Sequence, residues 1–188
     1  DQAGGLWIGT SGGGLNRFDR NTKQFFHYQH DPDNSHSLSD NRVTSIYEDQ
    51  SGALWIGTRN GLNRFDRKTE QFMHYRNDPE NPQSLSHNQV WAIYEDQEGE
   101  LWVGTREGLN RFERNTDQFS RYQQDLLAPY SLSHNYIQAL YEDTSGILWI
   151  GTLGGGLNRF DRTNEQFIRY QANPADPNSL SHNVVSAI

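Results

Sequence analysis

Residues 47–75 read YEDQSGALWIGTRNGLNRFDRKTEQFMHY, and this stretch decides the fold because it recurs along the chain. Its parts Gly-Leu-Asn-Arg-Phe and Gln-Phe-x-x-Tyr, and the later Ser-Leu-Ser-(His/Asp)-Asn, return in the same order. The pattern Leu-Trp-(Ile/Val)-Gly-Thr begins at Leu6, Leu54, Leu101 and Leu148, at intervals of 48, 47 and 47 residues. The chain of 188 residues therefore consists of four copies of one unit.

Each copy divides into four short strands separated by turns. In the second copy, β-branched and aromatic residues predict strand A at 43–48, strand B at 53–58, strand C at 62–66 and strand D at 71–75. No segment shows the 3.6-residue period of an amphipathic helix. Four strands followed by a long polar D–A loop are typical of one blade of a β-propeller. We therefore predict an all-β propeller segment over 1–188 with four-stranded antiparallel blades, whose repeats start near Asp1, Asp49, Asp96 and Asp143.

The quoted stretch and its three copies resemble the two-component-regulator propeller repeat, and the resemblance covers essentially the whole chain. That family occurs in sensor regions of bacterial hybrid histidine kinases and other signalling proteins. The resemblance implies a propeller without catalytic activity that binds a ligand or a protein partner. It also implies a periplasmic or other extracytoplasmic location for the parent protein, and we expect this fragment to be soluble. The membrane helix and output domain that family members carry are not recognisable in these residues.

The two ends of the chain raise the question of how the ring closes. The first copy contains strands B, C and D only, while residues 183–188 form a lone strand A. We expect this C-terminal strand to complete the first blade, because an open arc would leave an unpaired edge and two exposed blade faces of roughly 300 Å² each. Four blades of one chain could close, or two chains could meet head to tail. The larger rings of the family favour the second alternative, an eight-bladed homodimer.

Composition excludes several classes of function. The net charge of −8 with no basic run argues against binding nucleic acid. The absence of cysteine excludes thiolate metal sites and thiol catalysis. The glycine-rich residues 9–16, GTSGGGLN, lack the Lys-Ser/Thr of a phosphate-binding loop, and their copies read as turns between strands B and C. We therefore predict no cofactor and no nucleotide site.

The titratable residues also have structural interpretations. The pairs Glu48-Asp49, Glu95-Asp96 and Glu142-Asp143 are repeat-equivalent, and their aspartates lie where a turn needs a hydrogen-bond acceptor. His87, His134 and His182 share one position, where the first copy has Asp40, and we interpret them as surface or loop-capping residues. No catalytic residue and no metal ligand is predicted. A further position is interpreted as a solvated site on the outer strand and is occupied by His27, His74, Arg121 and Arg169.

Any binding site should lie where strand A starts and strand B ends, because the D–A and B–C loops meet at that rim of a propeller. Positions that vary between the copies on this rim are free to contact a ligand. The candidates are Arg42, Arg59, Asn60, Gln89, Trp91, Arg106, Glu107, Tyr136 and Gln138. Aromatic faces beside guanidinium donors suit a sugar or an anionic oligosaccharide, and a protein partner is the other possibility. A purely architectural module without a ligand is the alternative.

The third D–A loop differs from the others. It carries Leu126, Leu127 and Tyr130 where the other copies have polar residues. If these side chains are exposed together, they form a candidate contact patch.

Overall fold

The computed structural model describes residues 1–2 and 4–188, and these residues form fifteen strands and no helix. The strands are β1 (Leu6–Gly9), β2 (Leu15–Asp19), β3 (Gln24–Tyr28), β4 (Val43–Glu48), β5 (Leu54–Thr58), β6 (Gly61–Asp66), β7 (Gln71–Tyr75), β8 (Val90–Glu95), β9 (Leu101–Thr105), β10 (Gly108–Glu113), β11 (Gln118–Tyr122), β12 (Ile137–Glu142), β13 (Leu148–Thr152), β14 (Leu157–Asp161) and β15 (Gln166–Tyr170).

The strands form four antiparallel sheets, each with its strands in chain order. Blade 1 contains β1–β3, and blades 2, 3 and 4 contain β4–β7, β8–β11 and β12–β15. The predicted all-β propeller fold is confirmed. In blade 2 the predicted bounds of strands A and D agree with the structure, while strand B begins one residue later, at Leu54, and strand C one residue earlier, at Gly61.

Apolar side chains on both faces of each inner blade form the core, which lies between the blades. The backward face of blade 2, which packs on blade 1, consists of Leu54, Ile56, Phe65 and Phe72. Its forward face consists of Trp55, Leu62 and Tyr75, which form one cluster with the backward face of blade 3. Because successive strand residues point to opposite sides of a sheet, a run such as Leu54-Trp55 supplies both faces.

The Ser-Leu-Ser segments of the D–A loops connect one blade to the next. Their leucines Leu38, Leu85 and Leu132 are fully buried between blades. The serine after each leucine donates its backbone N–H to the strand C asparagine of the following blade, as Ser86 does to Asn110 Oδ1 at 2.8 Å. The segments therefore stabilise the joints between blades as well as the loops themselves.

The glycine of Leu-Trp-(Ile/Val)-Gly-Thr allows neighbouring blades to approach closely. A Cβ atom on Gly104 would lie 2.6 Å from Cγ2 of Ile137 in the next blade. The B–C turn needs a different property of glycine, since Gly14 within GTSGGGLN has φ +79°. The glycine of the B–C turn serves chain reversal, as the sequence predicts, and the glycine of strand B serves blade packing, which the sequence analysis did not predict.

The interpretation of the outer-strand position as solvated is wrong for three of its four residues. His74 Nε2 lies 2.6 Å from the carbonyl oxygen of Ser37, and Arg121 Nε donates to that of Ser84 at 2.6 Å. Arg169 donates to the carbonyl of Ser131 at 2.9 Å in the same way. A solvated position and a position that binds the preceding D–A loop select the same polar side chains, so the sequence alone does not separate them.

The C-terminal segment extends the arc beyond blade 4. Val185 donates its N–H to the carbonyl of Thr152 at 3.0 Å, which repeats the contact of Val43 with Thr10 between blades 1 and 2. The segment thus lies where strand A of a following blade would begin. Completion of the first blade by residues 183–188 stays a prediction.

Candidate ligand-binding rim

Backbone hydrogen bonds hold the B–C loops against the start of strand A in each complete blade. Arg59 N–H donates to the Arg42 carbonyl at 3.2 Å, and Arg106 N–H to the Gln89 carbonyl at 3.1 Å. These bonds place the predicted residues of the D–A and B–C loops on one rim. They fix the backbone of the rim and leave the side chains to vary.

A β-bulge re-aims the second residue of each complete strand A. The pairing of β4 with β5 shifts between Val43 and Ser45, so that Thr44 has no partner residue. The same shift leaves Trp91 and Gln138 unpaired in blades 3 and 4. Bulges commonly re-aim side chains beside functional sites. Trp91 and Gln138 are both candidate site residues, and the bulge leaves both outside the strand pairing.

Three of the predicted residues come together from three different blades. The ring centroids of Trp91 and Tyr136 lie 5.6 Å apart, with their planes inclined at 37°. The guanidinium carbon of Arg59 lies 5.5 Å from the Trp91 centroid, within the range of a cation–π contact. Blades 2, 3 and 4 each supply one member of this group, which we call the aromatic clamp (Arg59, Trp91, Tyr136).

Three polar side-chain atoms are buried without a hydrogen-bond partner among the described residues. They are Oγ of Ser45, Nε1 of Trp91 in the clamp and Oε1 of Gln138 at the bulge of blade 4. Thr44, at the equivalent bulge of blade 2, donates its hydroxyl to the carbonyl of Val90 at 2.6 Å. Indole and amide groups at the other two bulges do not reproduce that bond. A buried polar atom without a partner costs about 1–3 kcal/mol, so each of these atoms would gain from a ligand or a water.

Other predicted residues have partners within the chain. Arg42 makes a bidentate pair with Asp40, with Nε–Oδ1 and Nη2–Oδ2 distances of 2.9 and 2.8 Å. This hydrogen-bonded pair lowers the pKa of Asp40 and raises that of Arg42. Asn60 donates its side-chain amide to the carbonyl of Ser39 at 3.3 Å. These two side chains therefore support the loops.

The remaining predicted residues, Gln89, Arg106 and Glu107, lie on the same rim, and within the described part of the chain no hydrogen bond or cation–π contact joins their side chains to the clamp. Glu107 N–H donates to Thr105 Oγ1 at 3.1 Å, and its carboxylate is on an exposed residue. Arg106 is exposed as well. These side chains could contact a ligand that extends over the rim from the clamp.

The histidines of the Ser-Leu-Ser-His segments cap the start of strand A, as predicted. Nδ1 of His87 accepts the N–H of Gln89 at 2.9 Å, and Nδ1 of His134 accepts that of Tyr136 at 3.0 Å. Burial lowers the pKa of His87, to which the charge of Arg106 contributes in the same direction. A neutral imidazole is the form that can accept this bond.

The opposite rim carries an arrangement of charges that the sequence interpretation missed. Asp49 is the turn acceptor that was predicted, with Oδ1 accepting the N–H of Ala53 at 2.9 Å. Its Oδ2 also accepts from Trp55 Nε1 at 2.8 Å and from Arg114 of the next blade at 3.0 Å. Arg114 in turn binds Glu95 at 2.6 Å. One arginine thus bridges two blades, and Arg67 and Arg162 do the same at the other joints.

Other surface features lie away from the clamp. A groove of about 900 Å³ borders the outer edge of blade 2 and includes Ser51–Ala53, at the opposite end of β5 from the B–C loop. Leu126 and Leu127 are 88% and 94% exposed, and Tyr130 is exposed beside them. All three side chains are exposed, as the candidate contact patch requires. In the part of the chain that is described, no three His, Cys, Asp or Glu side chains are grouped as metal ligands.

Comparison with known proteins identifies the repeat. The sequence profile of the family described as two component regulator propeller matches residues 37–60, 84–107 and 131–154. Each match begins at a Ser-Leu-Ser segment and runs through strands A and B. These repeats belong to the two-component regulator propeller family. The predicted resemblance is thereby confirmed.

Solved structures show the same architecture in larger proteins. The extracellular domain of the candidate hybrid two component system BT3049 from B. thetaiotaomicron superposes with a TM-score of 0.73 and 28% identity, over 89% of this chain and 22% of that one. The extracellular domain of BT4673, from the same organism, gives a TM-score of 0.80 and 22% identity over 100% of this chain and 23% of that one. Histidine kinase P4 from Formosa agariphila is 37% identical over 55 residues, 29% of this chain and 4% of that protein.

The chain thus spans less than a quarter of the length of these relatives. They include extracellular domains of two-component systems from B. thetaiotaomicron. No helix among the described residues is long and apolar enough to cross a membrane.

Proposed function

We propose that this chain is a non-catalytic ligand-binding part of an extracytoplasmic sensor, and that it binds a carbohydrate at the aromatic clamp. The observation that carries the proposal is the pair of aromatic rings of Trp91 and Tyr136, with the Arg59 guanidinium over Trp91 and Nε1 of Trp91 unpartnered among the described residues. Sites for small ligands combine such apolar surface with a few polar groups that fix orientation.

The chemistry of the clamp suits a sugar ring. The C–H face of a pyranose can pack on the rings of Trp91 and Tyr136, which bury large areas at low entropic cost. A sugar hydroxyl could accept from Trp91 Nε1 once the indole turns to expose this atom, which is buried in the unbound chain. Arg59 would add a bidentate donor for a carboxylate, so that uronic acids should bind more tightly than neutral sugars. The net charge of −8 means that this attraction would be local to the rim.

Binding would act on signalling through the joints between blades. The clamp takes its members from blades 2, 3 and 4, so a bound sugar would favour one relative position of these blades. A ligand shifts an equilibrium by its difference in affinity for the two states, and the output domain would lie elsewhere in the parent protein. No bond is made or broken in this mechanism.

Isothermal titration calorimetry with two probes tests the proposal. A tetramer of galacturonic acid and cellotetraose should both bind, with the acidic probe binding more tightly. Trp91→Ala should weaken both at least tenfold, and Arg59→Ala should weaken only the acidic probe. Arg42→Ala is the matched control, because Arg42 lies on the same rim but pairs with Asp40. Absence of binding by either probe, or equal loss in Arg42→Ala, would contradict carbohydrate binding at the clamp.

A purely architectural module is the second candidate. The pairing of Arg42 with Asp40 and of Asn60 with the Ser39 carbonyl favours it, because these rim side chains act within the chain. In that case the clamp would stabilise the joints, and Trp91→Ala would lower the free energy of unfolding without any ligand being involved.

A further inference from the structure

Each blade carries an arginine near the middle of strand C, and the partners of this arginine differ between blades 2 and 3. In blade 3 the residue is Arg111, whose guanidinium group lies 3.1 to 3.6 Å from the carboxylates of Glu100, Glu113 and Glu165. In blade 2 the equivalent residue is Arg64, which makes no salt bridge with a carboxylate of the described residues. Its guanidinium carbon lies 5.6 Å from the centroid of the Trp55 ring instead. Arg64 is therefore available to an anion from outside the chain.

One of the carboxylates of blade 3 is replaced by a methyl group in blade 2. Ala53, the residue before β5, occupies the position that Glu100 occupies before β9. Ala53 packs against the cluster on the forward face of blade 2, to which Trp55 belongs. Because side chains alternate along a strand, Arg64 lies on that face too, opposite Trp55 in the ladder. The methyl group of Ala53 therefore leaves space beside Arg64 that a longer acidic side chain fills in blade 3.

The other two carboxylates are one methylene group shorter than their counterparts around Arg111, and they have other partners. Asp66 stands on strand C where blade 3 has a glutamate, and its Oδ1 accepts the N–H of Lys68 at 2.8 Å. Asp117 stands in the C–D turn of blade 3 where blade 4 has a glutamate, and its Oδ1 accepts the hydroxyl of Tyr75 at 3.2 Å. Neither carboxylate therefore pairs directly with the arginine of blade 2.

Arg64 lines the groove of about 900 Å³ at the outer edge of blade 2, which we call the blade 2 groove. Met73 lies opposite Arg64 in the pairing of β6 with β7 and lines the groove with it. Met73 is 54% exposed, which is unusual for a large apolar side chain. Lys68 adds positive charge, and Asp66 is the only carboxylate among the described residues that line the groove. The groove thus offers a cation beside an apolar wall.

We infer that the blade 2 groove binds a glutamate-bearing segment of a partner polypeptide. The carboxylate of that segment pairs with Arg64, as Glu100 pairs with Arg111 in blade 3. An apolar side chain of the segment packs on Met73. A guanidinium group can bind a carboxylate through two parallel hydrogen bonds, which fixes the orientation of the ligand as well as its charge.

The geometry of the sheet indicates the form of the ligand. In blade 3 the corresponding position is filled by a glutamate side chain of the chain itself, Glu100. Directly opposed residues such as Arg64 and Met73 have Cβ atoms about 5 Å apart. Alternate residues of an extended peptide lie on one side, about 6.6 Å apart, so a segment of the pattern Glu-x-Leu reaches both side chains. Arg59 of the clamp lies beyond the other end of β5, so peptide binding here is independent of carbohydrate binding there.

The methyl group of Met73 provides a direct readout, because the chain contains one methionine. A sample labelled with ¹³C at the methionine methyl group gives one NMR signal, which lies in the groove. Titration with the peptide acetyl-Gly-Glu-Gly-Leu-Gly-amide should shift this signal to saturation. The matched peptide with Gln in place of Glu should bind about fivefold more weakly, which is the effect of one partly exposed ion pair.

Variants of the chain test the same contact from the other side. Ala53→Glu supplies the carboxylate that blade 3 has, so it should occupy Arg64 and weaken the acidic peptide about fivefold, as should Arg64→Gln. Ala53→Glu should keep the fold, which circular dichroism checks, because blade 3 carries glutamate at this position. Arg106→Gln is the control for the change in charge, since Arg106 is exposed on the opposite rim, and it should bind the peptide like the unmodified chain.

Several outcomes would overturn the inference. A methionine signal that does not move, or equal binding of the Glu and Gln peptides, would mean that Arg64 does not hold a carboxylate. Undiminished binding to Ala53→Glu would place the peptide elsewhere. Glutarate that binds as tightly as the peptide would mean a site for small carboxylates. A tetramer of galacturonic acid that shifts the methionine signal as the peptide does would mean a general site for anions.

Discussion

Truncation of Leu85 should test how much one Ser-Leu-Ser segment stabilises the joint that it occupies. Leu85 is 0% exposed and belongs to a cluster that includes Trp55 of blade 2 and Phe119 of blade 3. Replacement of a buried leucine by alanine costs about 3–5 kcal/mol, as the lost transfer free energy plus the cavity that remains. That is a large fraction of the roughly 5–15 kcal/mol by which domains are stable.

Urea denaturation of Leu85→Ala, followed by Trp fluorescence and circular dichroism, measures this loss. Leu180→Ala is the internal control, because the same residue type at the same repeat position is only partly buried in the isolated chain. Leu180→Ala should cost less than about 1 kcal/mol. If Leu85→Ala costs no more than Leu180→Ala, the buried leucines do not hold the blades together and the reasoning fails.

Three further predictions concern other positions. Asp49→Asn should cost about 2–3 kcal/mol at neutral pH, since it breaks the ion pair of a fully buried carboxylate with Arg114. Burial alone would raise the pKa of Asp49, but its hydrogen bonds lower it, so the carboxylate stabilises the fold above its unfolded-state pKa of about 3.9. In urea denaturation, the difference in free energy of unfolding between the unmodified chain and Asp49→Asn should therefore shrink as the pH falls through the folded-state pKa of Asp49. A difference that does not change with pH would contradict this. Gly104→Ala should lower stability by about 1–3 kcal/mol because its Cβ would press on Ile137, and a neutral result would refute the close approach. Leu127→Ser should leave the free energy of unfolding unchanged within about 0.5 kcal/mol, and a larger loss would mean that this leucine packs against a neighbour.

The sequence predicts the blades closely because each strand is set by local patterns that occur four times. It predicts the histidine caps and the turn aspartates for the same reason. The contacts between blades were harder to foresee, since a residue such as Arg114 bonds to Asp49, which is distant in sequence. The sequence did contain a signal for these contacts. A charged residue that occurs in every copy, such as this arginine, is expected to make a contact that is repeated in every blade.

The candidate site was harder to predict, because its residues vary between the copies. Comparison of the copies located the rim but did not show which of its side chains contact one another. The bulge decides this, because it removes Trp91 and Gln138 from the ladder and places them beside the next blade. Arg59 then reaches Trp91 from the blade before, and Tyr136 from the blade after. Each contact of the clamp therefore joins two neighbouring blades, so the geometry of the clamp depends on the relative position of the blades. The geometry of a site within a single blade would not depend on it. If the clamp binds the proposed ligand, variation at the bulges, on joints that stay constant, would allow one repeat to bind different ligands without losing its fold.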